Sequence, residues 1–81
     1  MLAASACAST APTQQLVDAR RTYNEAASGE AARLTPDKLL TAQQALEQAE
    51  RAHTDDPGSP EEAHLAYLAA RKSAMAIAYG K

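Results

Sequence analysis

The stretch Thr54-Asp55-Asp56-Pro57-Gly58-Ser59-Pro60-Glu61-Glu62 divides the chain. Asp-Asp-Pro-Gly is turn chemistry: the aspartates bond back to nearby backbone, proline presets φ, and glycine reaches conformations that side chains forbid. Ser59 then suits a helix N-cap and Pro60 its first position. Glu62 falls at the third, where a glutamate completes a capping box. Two glutamates in the first turn also lie at the positive end of the helix dipole. A helix is therefore predicted over residues 60–79, after a turn at 54–59.

Similar punctuation recurs upstream. Leu34-Thr35-Pro36-Asp37 offers Thr35 as N-cap, Pro36 at the first helical position, and Leu34 with Leu39 as a hydrophobic staple. That opens a second helix over 36–53. A first helix starts near Pro12 or Thr13 and runs to about residue 28. There Gly29 is either its cap or a weak point in a longer helix that takes in Glu30–Arg33.

The apolar spacing agrees with this division. Leu16, Ala19, Tyr23 and Ala26 share one stripe, and Leu39, Ala42, Leu46 and Ala49 share another, offset by 23 residues. Alternating large and small residues at 3-4 spacing suit closely packed antiparallel helices. The offset match is either an internal repeat or what any alanine-rich pair of helices shows. The third helix is apolar on two sides. Ala63, Ala66, Tyr67, Ala70, Ala74 and Ile77 form one face; Leu65, Leu68, Met75 and Tyr79, with Lys72 among them, form nearly the opposite one. Such a helix needs cover on both sides. Either it is wedged between the other two, or Leu65, Leu68, Lys72, Met75 and Tyr79 meet a partner, a second copy or a further domain downstream. The fold class is all-α: a small antiparallel three-helix bundle with helices at about 13–28, 36–53 and 60–79, or a hairpin of the last two with the first across it.

Composition limits what such a bundle can do. Of 81 residues, 46% are hydrophobic, but 21 are alanines, and there is no Trp or Phe. The core is thin, and the alanines must let backbones approach. A deep, dry pocket for multistep chemistry is not expected. The net charge is −2, and no segment is basic enough to follow a phosphate backbone, so nucleic acid is not an expected partner. No apolar run is long enough to span a bilayer.

Catalytic and metal motifs are sparse. Glu61 and His64 form Glu-x-x-His, with His53 and Asp55 across the turn, but a carboxylate-bridged di-metal bundle needs two such motifs and two further glutamates. No serine has a Gly-x-Ser-x-Gly context, and the three glycines form no phosphate loop. No cofactor, metal or catalytic residue is expected, and the chain reads as a non-enzyme. Arg20-Arg21 and Arg71-Lys72 read as solvated pairs, one member of each lying along the apolar face.

The single cysteine, Cys7, stands in an uncharged stretch of small residues. Ala4-Ser5-Ala6-Cys7 resembles a bacterial lipobox, in which signal peptidase cuts before the cysteine and the thiol accepts a diacylglycerol. That resemblance implies lipidation at Cys7, anchoring to the membrane, and, with Ala8 rather than Asp next, residence at the outer membrane. Only six residues precede Cys7, too few for a basic region and an apolar core, so the gene is expected to extend upstream. The other reading is an Ala/Ser tail with an incidental thiol. Residues 1–12 are thus taken as signal remnant and disordered tether, and 13–81 as an alanine-rich helical domain.

The segments APTQQLVDARRTYNEAA (11–27) and TPDKLLTAQQALEQAERA (35–52), followed by an alanine-rich helix, are similar to an uncharacterised bacterial family of periplasmic helical lipoprotein domains. These often precede an OmpA-type peptidoglycan-binding domain. The resemblance implies a spacer or docking module on the periplasmic face of the outer membrane, with peptidoglycan or an envelope protein as partner. The ending Met75-Ala76-Ile77-Ala78-Tyr79-Gly80-Lys81 resembles that of the major murein lipoprotein and would make Lys81 a covalent wall tether. Pro36, Pro57 and Pro60 depart from that protein's unbroken helix. A soluble helical adaptor is the alternative from a different class.

Overall fold

A computed structural model describes residues 11–80. Four helices follow in order: α1 (Gln14–Ser28), α2 (Ala31–Leu34), α3 (Pro36–Asp55) and α4 (Pro60–Tyr79). The chain is an all-α bundle, with no strand among the described residues. The three long helices lie where the end signals put them, α3 running two residues further than expected. The short α2 is the addition. Gly29 is extended and caps α1, its N–H donating to the Ala26 carbonyl at 3.4 Å. The chain then makes one further helical turn before Pro36.

α4 is the central element, packing along both α1 and α3, which touch each other much less. This is the wedged arrangement. Its buried stripe is Glu62, Ala66, Ala69, Ser73, Ala76 and Gly80, spaced four, three, four, three and four. The stripe runs between the two apolar faces read from the sequence. Tyr67 is half exposed and Ala74 exposed, because α1 and α3 meet over the midline of α4 and leave its flanks as shoulders.

The seam residues are small. Leu16, Ala19, Ala45, Ala49, Ala66 and Ala69 form one buried cluster, with Leu46, Leu65 and Ala70 packed at its edge. Ala26, Ala31 and Ala76 form a second, edged by Leu39 and Ile77. Leu16 is the one large apolar side chain that is fully buried among the described residues. Close backbone approach replaces bulk. Gly80 shows how close: a Cβ there would lie 2.8 Å from Cα of Ala31, so α2 rests on the end of α4 only because residue 80 has no side chain.

Two of the expected caps differ in detail. Thr35 begins α3, but its hydroxyl does not cap it. That group turns back to the carbonyls of Ala31 and Ala76, at 3.3 and 3.4 Å, and so pins α2 to α4. Leu34 is 52% exposed while Leu39 packs on the second cluster. The one-turn α2 carries Leu34 out to solvent, and no buried staple forms.

Candidate functional site

The most constrained polar group lies where the start of α1 meets the α3–α4 turn. Ser59 caps α4 as predicted, accepting the Glu62 N–H at 3.0 Å. The reciprocal half of the capping box is different. The Glu62 carboxylate does not return to the Ser59 N–H, which donates to the Asp56 carbonyl at 3.2 Å. It reaches one residue further back, where Oε1 accepts the Gly58 N–H at 2.7 Å. Gly58, at φ +79°, holds the left-handed conformation of the turn. Oε1 also lies 3.0 Å from Nδ1 of His53 on α3, and Oε2 accepts the Thr13 N–H at 2.8 Å. Thr13 in turn caps α1, its hydroxyl accepting the Leu16 N–H at 3.2 Å.

Glu62 is fully buried, and burial by itself opposes ionisation. The Thr13 and Gly58 N–H donors and the His53 ring outweigh that cost and hold the carboxyl down at about 2. An ionised carboxylate only accepts, so Nδ1 of His53 carries the proton in this contact. Both carboxylate oxygens are engaged and none is open to solvent. This acid is therefore a latch tying the start of α1, the end of α3 and the start of α4.

Sequence reading missed this role. It paired Glu61 with His64 and set His53 and Asp55 beside them; the fold instead turns His53 to Glu62. Among the described residues, no group of three His, Cys, Asp or Glu side chains is gathered for a metal ion. The capping box was the one available signal for Glu62. Thr13, 49 residues away in sequence, gave none.

A second tie crosses from α1 to α3. Arg20 donates through Nε and Nη2 to the two oxygens of Glu50, both at 2.7 Å. The hydrogen bonds lower the Glu50 carboxyl and raise Arg20 from their ordinary values. Arg20 is thus not a merely solvated cation. Arg21 pairs with Asp18 on its own helix, and Arg71 donates to the Tyr67 hydroxyl at 2.9 Å.

The five candidate partner residues on α4 are divided by the packing. Leu65 lies at the edge of the larger core cluster and Leu68 is half-buried. Lys72, Met75 and Tyr79 are exposed, Met75 at 47% and Tyr79 at 60%. All but Tyr79 line shallow depressions along the α3–α4 groove. Tyr79 lies under the ammonium of Lys38, 4.8 Å from the ring centroid. Cys7 and Lys81 lie outside the described residues.

The fold and its latch define a small helical domain sealed by alanine seams and one buried carboxylate. The chain belongs to the family described as Domain of unknown function (DUF4398), which matches residues 14–81. No curated protein and no solved structure matches it.

Proposed function

We propose that this chain is the helical domain of a lipid-anchored bacterial envelope protein, a non-catalytic spacer or docking module at the periplasmic face of the outer membrane. The observation that carries the reading is Ala4-Ser5-Ala6-Cys7, small residues leading into the single cysteine, a few residues before the domain begins at Thr13. Each buried methylene contributes about 0.8 kcal/mol, and one acyl chain anchors only marginally. The three chains of a mature lipoprotein cysteine would hold the domain stably. Two features of the folded part support a mechanical role. Its buried acid has both oxygens occupied by structural donors, and its core is built from alanines that leave little room for a substrate.

Intact mass of the full native gene product, taken from the envelope fraction after muramidase digestion, tests this. Processing at Cys7 with three acyl chains is expected. An additional muropeptide on Lys81 would identify the wall partner as covalent. An unprocessed, unlipidated mass in the soluble fraction overturns the envelope reading and leaves a soluble helical adaptor.

A further inference from the structure

The outer side of the α3–α4 groove is one continuous face with an uneven charge distribution. At the turn end, Asp55, Asp56 and Glu61 surround a depression, with Arg51 among them. Leu65 and Leu68 follow, opposite Gln44 and Gln48. At the far end Lys38 and Lys72 flank a depression shared with Thr41 and Met75. Neither lysine has an ion-pair partner among the described residues.

The spacing along α4 is symmetric about its own centre. Glu61, Leu65, Leu68 and Lys72 follow at four, three and four residues on one helix face. The midpoint between the two leucines is also the midpoint between acid and base. α3 repeats the polarity, with Asp55 beside Glu61 and Lys38 beyond Lys72.

We infer that a second copy of this chain docks antiparallel on the α3–α4 face, about a two-fold axis passing between Leu65 and Leu68. That rotation sets Leu65 against the partner's Leu68 and Glu61 against the partner's Lys72. It also brings Lys38 to the partner's Asp55. Every contact then occurs twice, as a two-fold interface requires. A parallel pairing would instead face acid with acid and base with base. Self-complementarity singles out a second copy, because an unrelated partner would need only one half of the pattern.

Two helices about 30 Å long offer on the order of 600 Å² per copy, near the lower limit for a stable interface. The pair is therefore a reversible dimer rather than a permanent one. Its charges lie at the rim, so they set orientation and make association sensitive to salt.

Sedimentation equilibrium on the full 81-residue chain, in reducing buffer so that Cys7 cannot cross-link, provides the test. A monomer–dimer equilibrium that weakens with added salt is expected. Glu61→Lys and Lys72→Glu should each weaken it by at least about tenfold, since each removes two attractive contacts and creates two repulsive ones. Combining both substitutions in one chain should restore dimerisation to within about threefold, because the swapped charges face each other again. Circular dichroism checks that all three variants keep the wild-type helix content. A wild-type chain that stays monomeric at millimolar concentration overturns the proposal. So does a dimer indifferent to the single reversals, or a double variant no better than either single.

Discussion

Glu62 is the residue on which three segments depend, and its chemistry makes that dependence visible to pH. Its carboxyl falls from an ordinary 4.5 to about 2 in the folded chain. A folded-state pKa below the unfolded one contributes stability that is fully present above pH 4.5 and is lost as pH falls toward 2. Glu50, lowered by its hydrogen bonds from Arg20, acts in the same direction. Urea unfolding should therefore show a midpoint that drops across this window, and Glu62→Gln should flatten the dependence without abolishing it. At neutral pH the same substitution should cost about 2 kcal/mol, since an amide cannot accept all three donors and leaves some unpartnered.

Two glycines can be tested at the same scale. Gly58→Ala places a side chain at φ +79°, in open space, and should cost about 1 kcal/mol from backbone conformation alone. Gly80→Ala meets the Cα of Ala31 at 2.8 Å. Backbone atoms cannot yield as a flexible side chain does, so α2 must lift, at about 1–3 kcal/mol. Thermal melts separate these cases, because about 1 kcal/mol moves the midpoint by roughly 4–8 °C in a domain of this size.

At the scale of elements, the alanine seam sets the spacing between helices. Ala66 is fully buried at the centre of α4, in contact with the cluster that joins α1 and α3. Ala66→Leu adds three carbons where no room exists and should destabilise by about 1–3 kcal/mol. Ser73 is equally buried, and its hydroxyl is satisfied on the Ala69 carbonyl at 2.9 Å. Ser73→Ala should therefore be nearly neutral, since donor and acceptor demand vanish together and little volume is lost. Guanidinium titrations of both variants check the contrast. A tolerated leucine at position 66 would show that the helices can separate.

The long helices were legible because their ends carry local chemistry: Thr13 and Ser59 cap by side chain, and Pro36 and Pro60 occupy first positions. The stripes of α1 and α3 were legible because large and small apolar residues alternate along them at 3-4 spacing, Leu16 and Tyr23 with Ala19 and Ala26, and Leu39 and Leu46 with Ala42 and Ala49. The seam of α4 was not. Its large apolar side chains, Leu65, Leu68, Met75 and Tyr79 on one flank and Tyr67 and Ile77 on the other, drew the reading to the flanks. The small residues of the buried line carry no contrast of their own, so that line could be placed only by knowing that two helices straddle it. The one-turn α2 escaped for a similar reason, since Ala31 and Ala32 look alike although only Ala31 is buried. The latch depended on through-space partners. Local sequence gave Glu62 a capping role, and only the fold brings Thr13 and His53 to it.

At the scale of the whole molecule, the proposed lipid anchor and the proposed antiparallel pair constrain each other. Thr13 is held by Glu62 at the α3–α4 turn, so a tether to Cys7 would leave each copy from that end of its bundle. In an antiparallel dimer the two tethers leave from opposite ends, about 30 Å apart along the helices. Six residue steps join Cys7 to Thr13 and reach at most about 20 Å. An upright dimer would hold one Thr13 too far from the bilayer for its tether to span. Both anchors reach the same leaflet only if the helices lie along the membrane. Polarised infrared spectra of the acylated protein on supported bilayers should then show helix axes near the membrane plane. The Lys72→Glu variant, whose pairing is weakened, should show less of that alignment. Helices standing along the membrane normal in the wild type would mean that the anchor and the antiparallel pair cannot both be right.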